Sequence, residues 1–126
     1  MSPRRILSLG QCAADEWTLA RLLGGELSAE VVSASTFADA ESRLRQGDIV
    51  LVLVNRILDR DGASGLDFIA RIKADPALRH VPVMLVSNHA DAQQQAVALG
   101  AVAGFGKAAL GDPITVARLR DALASN

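Results

Sequence analysis

Asp48-Ile49-Val50-Leu51-Val52-Leu53-Val54-Asn55, followed by Arg56-Ile57-Leu58-Asp59-Arg60-Asp61-Gly62, is the stretch on which the fold turns. Its apolar run is too short to span a membrane and too rich in β-branched residues to favour a helix. Bounded by turn residues, it reads as a strand buried on both faces, in the middle of a parallel sheet. The run stops at a polar residue, Asn55, and gives way to a charged loop. Open α/β sheets place their sites just beyond the carboxyl ends of the strands. Asn55 therefore stands where chemistry is expected.

Upstream, Arg4 to Leu9 reads as a first strand, with Gly10-Gln11-Cys12 as its turn. A helix from Asp15 to Leu23 carries Leu19, Leu22 and Leu23 on one face, and Gly24-Gly25 is expected to stop it. Glu30 to Ser33 is a short second strand. Thr36, with Asp39 three residues on, caps a helix that turns Phe37 and Leu44 inward and ends at Gly47. Downstream, Ser64 and Asp67 repeat the capping pattern before a helix with Leu66, Ile69 and Ile72 inward, which ends at Asp75-Pro76. Val81 to Val86 is a fourth strand, and Asn88 with Asp91 caps a helix bearing Ala92, Ala96 and Leu99. After Gly100 comes a thin strand, Ala101 to Phe105. Asp112-Pro113 is a strong start signal for a last helix with Val116, Leu119 and Leu123 on one face.

Alternation of five strands with five helices predicts a doubly wound α/β domain over residues 1–126: a five-stranded parallel sheet with helices on both faces. Of the 126 residues, 50% are apolar and 3% aromatic, so the core is aliphatic. Thirteen basic against fourteen acidic residues give a formal charge of −1, which argues against nucleic-acid or membrane-surface binding. Cys12 is the single cysteine, so no intrachain disulfide forms. Only four residues separate Met1-Ser2-Pro3-Arg4-Arg5 from Gly10, too few for a signal peptide, and a cytoplasmic setting is the expectation.

From Arg4 to Leu123 the order of elements resembles the response-regulator receiver domain, the CheY-like family. The most specific likeness runs from Gly65-Leu66-Asp67-Phe68-Ile69 through Ile72-Lys73-Ala74-Asp75-Pro76 to Val81-Pro82-Val83-Met84-Leu85-Val86-Ser87. The spacing of Gly100-Ala101 to Lys107 is also that of the family. The resemblance implies a flavodoxin-like strand order of 2-1-3-4-5. It also implies a magnesium-dependent phosphotransfer site with an acidic pair after the first strand, an acceptor aspartate after the third, a Ser or Thr after the fourth and a Lys after the fifth. Such chemistry needs hard oxygen anions for Mg²⁺, a carboxylate nucleophile and donors for the developing charge.

In this chain the acidic pair falls on Gly10 and Gln11, and the acceptor on Asn55; Ser87 and Lys107 remain. Counted forward from Asp48, the acceptor would be Leu53, and on either count no carboxylate is present. The loop to Gly65 is two residues longer than usual, Asp59 replaces a proline, Ala108 replaces another, and the aromatic switch position holds Gly104. Mg²⁺ is not expected to bind. Asp15 and Glu16 lie four to five residues past the lost pair, in a helix start where acids serve the dipole, and are not expected to replace it. Asp59 and Asp61 are the reserve carboxylates, on a loop long enough to fold back over the site. Lys107 is expected to find the Asn55 oxygen, a strand-end carbonyl, or Asp59 or Asp61, or to turn to solvent.

Cys12 does not make a phosphatase loop, because residue 18 is Thr where arginine is needed, and His80 and His89 are too isolated to suggest a metal site. The expectation is a non-enzymatic, phosphorylation-independent signalling domain. It binds a partner, or itself, through the fourth helix, fifth strand and fifth helix, where Ala90, Ala92, Ala96, Ala98, Ala108 and Ala109 lie near Arg118 and Arg120. The alternatives are phosphorylation on Asp59, Asp61 or Ser87, or a small ligand in the vacated cleft.

Overall fold

The computed structural model describes residues 4–124. Strands β1 (Arg4–Leu9), β2 (Ala29–Ala34), β3 (Ile49–Asn55), β4 (Val83–Val86) and β5 (Val102–Phe105) alternate with helices α1 (Ala13–Leu27), α2 (Phe37–Leu44), α3 (Gly65–Lys73), α4 (Ala90–Ala98) and α5 (Pro113–Ala124). Every pairing is parallel, in the order β2-β1-β3-β4-β5. This is the doubly wound sheet that the alternation predicts.

Successive side chains of a strand point to opposite faces, and the apolar run of β3 divides accordingly. Leu51 and Leu53 join Ile6, Met84, Val86 and Phe105 beneath Leu19 and Leu23 of α1 and Leu119 and Leu123 of α5. Val52 and Val54 join Leu7, Leu9, Val83 and Leu85 beneath Leu44, Phe68, Ile69, Ile72 and Ala96 of the other three helices. Leu53 is fully buried, so it cannot be the acceptor position, and Asn55 is the residue at the strand's open end.

Several local expectations need correction. Helix α1 runs through Gly24-Gly25 to Leu27 and ends at Ser28, whose φ of 52° is left-handed. Beyond the glycines Leu27 packs against the core, which offsets the cost of two exposed glycines, about 1 kcal/mol each. Thr36 caps α2 as expected, accepting from the Asp39 N–H at 3.2 Å. Ser64 and His89 precede α3 and α4 without any side-chain cap, and the Asn88 oxygen accepts instead from the Ala108 N–H at 3.2 Å. Phe68, unassigned in the helical pattern, is fully buried and stacks at 5.3 Å on Phe37, whereas Leu99 is 39% exposed. The fourth strand begins at Val83, not Val81, and the fifth at Val102.

Candidate functional site

At the carboxyl end of the sheet, the turns after β1 and β3 are laced together by the residues at the positions that the resemblance gives to the acidic pair and the acceptor. The Asn55 amide donates to the Gly10 carbonyl at 3.1 Å and to the Ile57 carbonyl at 2.8 Å. Both neighbours are acceptors, so the –NH₂ must lie on that side. The Gly10 carbonyl also accepts the Asp59 N–H at 2.9 Å. Asn55 is thus a fastener between two loops, with both amide hydrogens committed.

The longer β3–α3 loop is compact. Ile57 bridges Ser64, and the Leu58 N–H reaches the Ala63 carbonyl at 2.9 Å. It presses Leu58, 1% exposed, onto Gly10. Gly10 has φ +78°, and a Cβ there would overlap the Leu58 side chain. The place where the resemblance puts a metal-binding carboxylate is therefore occupied by a leucine. Gln11 supplies only an amide, whose two polar atoms are buried without a protein partner.

This donor set does not fit Mg²⁺, which requires oxygen ligands with one or two carboxylates: Gly10 is sealed by Leu58 and Asn55 turns its hydrogens to carbonyls. Among the described residues no group of three His, Cys, Asp or Glu is placed to hold a metal ion. The reserve carboxylates do not fold back. Asp59 and Asp61 are exposed, Asp61 accepts the Ala63 N–H at 3.0 Å in a local turn, and neither lines a cavity here.

Lys107 takes a partner that the sequence reading did not offer it. It pairs with Asp15 at 2.5 Å, and not with Asn55, a carbonyl or the loop aspartates. Asp15 does reach the site, from the first turn of α1, but it meets the lysine and not a metal position. The Lys107 ammonium, and then the Cys12 side chain, hold the Asp15 carboxyl below the usual carboxylate range. Ser87 is 8% exposed and its Oγ accepts the His89 N–H at 3.1 Å.

The switch position is also remade, through a residue the sequence reading passed over. Gln93 of α4 donates to the carbonyls of Leu85, Ser87 and Phe105 at 2.9–3.3 Å and accepts the Gly104 N–H at 3.2 Å. It sits where the β4–β5 register is irregular, between Met84 and Val86, and satisfies groups that a regular ladder would pair. A Cβ on Gly104 would strike the Leu85 carbonyl, and Arg118 donates to the Gly104 carbonyl at 2.8 Å. Gly104 at the expected ring position is the sequence trace of this arrangement; Gln93, eleven residues earlier, carries no signal of its own.

No known protein family pattern matches this chain, and no curated protein matches it. Solved structures do. A putative response regulator from Chloroflexus aurantiacus is 19% identical with a TM-score of 0.79, covering 98% of this chain and 99% of its own. The signal receiver domain of a DNA-binding response regulator from Colwellia psychrerythraea is 24% identical with a TM-score of 0.79, covering 95% and 98%. A response regulator receiver protein from Pseudomonas putida is 18% identical with a TM-score of 0.72, covering 100% and 99%. At these identities the likeness is one of architecture, and the architecture this chain shares with them is the CheY-like receiver fold.

Proposed function

We propose that this chain is a receiver-like signalling domain of two-component type that works without aspartyl phosphorylation and without catalysis, by contact with another protein. The observation that carries this reading is the commitment of the Asn55 amide to the Gly10 and Ile57 carbonyls. An amide is no nucleophile toward phosphorus, and this one fastens two loops over a sealed metal position.

Support for the contact face comes from α4, β5 and α5. Val97 and Val102 are 48% and 40% exposed there, beside a shallow cavity of about 380 Å³ lined by Val97, Ala103, Gly104 and Arg118. Gln93 and Arg118 tie the three elements at Gly104, so the face is held in one form; a ligand shifts an equilibrium only when two states differ in affinity for it. Within that face, part of the expected pattern does not contribute. Ala92 and Ala96 are buried in the core, and Arg118 and Arg120 are engaged with the carbonyls of Gly104 and Glu26.

Two measurements test the proposal. Incubation with acetyl phosphate and Mg²⁺ should leave the intact mass unchanged; a phosphoryl adduct on any residue defeats the phosphorylation-independent reading. Val97→Glu should abolish capture of the partner, or self-association, while preserving the thermal midpoint. It is a better probe than Arg118→Glu, which would also cut the β5–α5 tie. Unchanged capture by Val97→Glu would place the contact on another face.

A further inference from the structure

At the amino end of the sheet, opposite the Asn55 site, β3 runs past its neighbour. It begins at Ile49, whereas its pairing with β4 begins only at Val52, beside Val83. The overhang carries a cavity of about 240 Å³ between the end of α2 and the loop from α3 to β4. Its floor is aliphatic: Leu44, Ile49, Leu78 and Val81, all on one face of the sheet. Its rim holds two exposed side chains with N–H groups to give, Arg45 and His80.

Arg45 spends one nitrogen, Nη2, on Asp75 at 2.7 Å, and its other guanidinium nitrogens meet no acceptor among the described residues. The His80 ring has no hydrogen-bond or ion-pair partner among them, and an imidazole N–H donates whether the ring is neutral or charged. The wall that carries His80 is already fixed, so little order is lost on binding. Lys73 Nζ donates to the carbonyls on either side of it, of Arg79 and Val81, at 2.9 Å each. The Leu78 and Arg79 N–H groups both reach the Asp75 carbonyl. Asp48 and Asp75, the acids beside the cavity in the chain, do not line it. The first accepts from Arg5 and Arg43, and the second from Arg45 and the Ala77 N–H, so neither adds an unpaired negative charge there.

We infer that this cavity binds a small aliphatic carboxylic acid, with its carboxylate on Arg45 and His80 and its chain on the floor. Planar N–H donors match a carboxylate, and bonds of this charge-assisted kind are about twice as strong as neutral ones. The floor offers a chain dispersion contacts and removal from water, and no polar group to compete. A water takes about 30 Å³ in the liquid, so the cavity holds about eight atoms of that size, the count of a six-carbon acid. The cavity touches neither α4, β5 nor α5, so the inference stands apart from the protein-contact proposal.

The test is titration of the full ¹⁵N-labelled chain with hexanoate, acetate, hexanamide or a short peptide ending in leucine, each at matched ionic strength. Hexanoate should move the amides of residues 44–49 and 77–81 saturably. Acetate, which lacks the chain, and hexanamide, which lacks the charge, should each bind about tenfold more weakly. Arg45→Gln should also weaken hexanoate about tenfold. Its thermal midpoint should stay almost unchanged, because an exposed ion pair contributes little to stability. His80→Ala, at an exposed position, should weaken hexanoate about threefold. No saturable movement at these residues, or shifts that survive either variant undiminished, overturn the site. Acetate binding as tightly as hexanoate overturns the role of the floor, and hexanamide doing so overturns the carboxylate. A peptide that binds more tightly than hexanoate overturns the small-molecule assignment.

Discussion

The two halves of the carboxyl-end cleft have been treated in opposite ways. On the β1 side, where an ordinary receiver would hold its cation, Leu58 is packed on Gly10 and the Gly10 carbonyl takes hydrogens from Asn55 and Asp59. On the β4 side, where phosphoryl oxygens would lie, a cavity remains between Arg56, Ser87 and Lys107. The difference follows from charge. Facing carboxylates need a metal to coexist; Gly10, Gln11 and Asn55 bring no charge to this side, and a leucine closes over the glycine. Opposite, Lys107 pairs with Asp15 and the Ser87 oxygen accepts the His89 N–H, and the space between them and Arg56 stays open.

If that contrast is right, the closed half should resist restoration, and Gly10→Asp is the severest test. The change adds a Cβ at φ +78° where Leu58 lies. Overpacking of about 1–3 kcal/mol and the left-handed backbone of a non-glycine residue, about 1–2 kcal/mol, sum to a loss of about 2–5 kcal/mol. A triple revertant, with Gln11→Asp and Asn55→Asp, should be destabilised and still not accept phosphate from acetyl phosphate. Urea unfolding checks the first part. A Gly10→Asp variant as stable as the parent would mean that Leu58 is loosely held.

Asn55→Asp should cost less, about 2 kcal/mol at neutral pH. It removes two donors and sets a carboxylate against the Gly10 and Ile57 carbonyls, leaving acceptors unsatisfied. Such a carboxyl is disfavoured in its charged form, so its folded-state pKa is raised. The penalty should be small below the ordinary carboxylate range and grow as pH rises through it. Parallel urea midpoints at pH 4 and pH 7 report this, and equal losses at both would contradict the hydrogen-bond assignment.

How much of this was legible in the sequence depends on distance along the chain. The doubly wound sheet followed from the strand runs and their spacing, because a β3 buried on both sides needs helices on both faces; the strand order came from the resemblance. The missing carboxylates at Gly10, Gln11 and Asn55 were legible too. What replaced them was not. Leu58 served only to align the acceptor loop, and nothing local shows that a longer loop turns it onto Gly10. Asp15 was set aside because it lies too late in the chain to be a metal ligand. Its meeting with Lys107 joins the first turn of α1 to the end of β5, a contact fixed by the fold alone. Gln93 escaped because its role exists only where the β4–β5 register slips.

The smallest effect is expected at the Asp15–Lys107 pair, which borders both halves. Its side chains are 33% and 39% exposed, so water screens the attraction, and the pair should contribute less than about 1 kcal/mol. The sign of its pH dependence is nevertheless fixed. The lysine holds the Asp15 pKa below its ordinary value of 3.8, so its stabilising contribution is present above that value and is lost as pH falls through the lower folded-state pKa. Asp15→Asn should therefore lower the urea midpoint slightly at pH 7 and flatten the acid limb of the stability curve below about pH 4. Combined with Lys107→Met in a double-mutant cycle, it should show coupling at pH 7 that vanishes in strong acid.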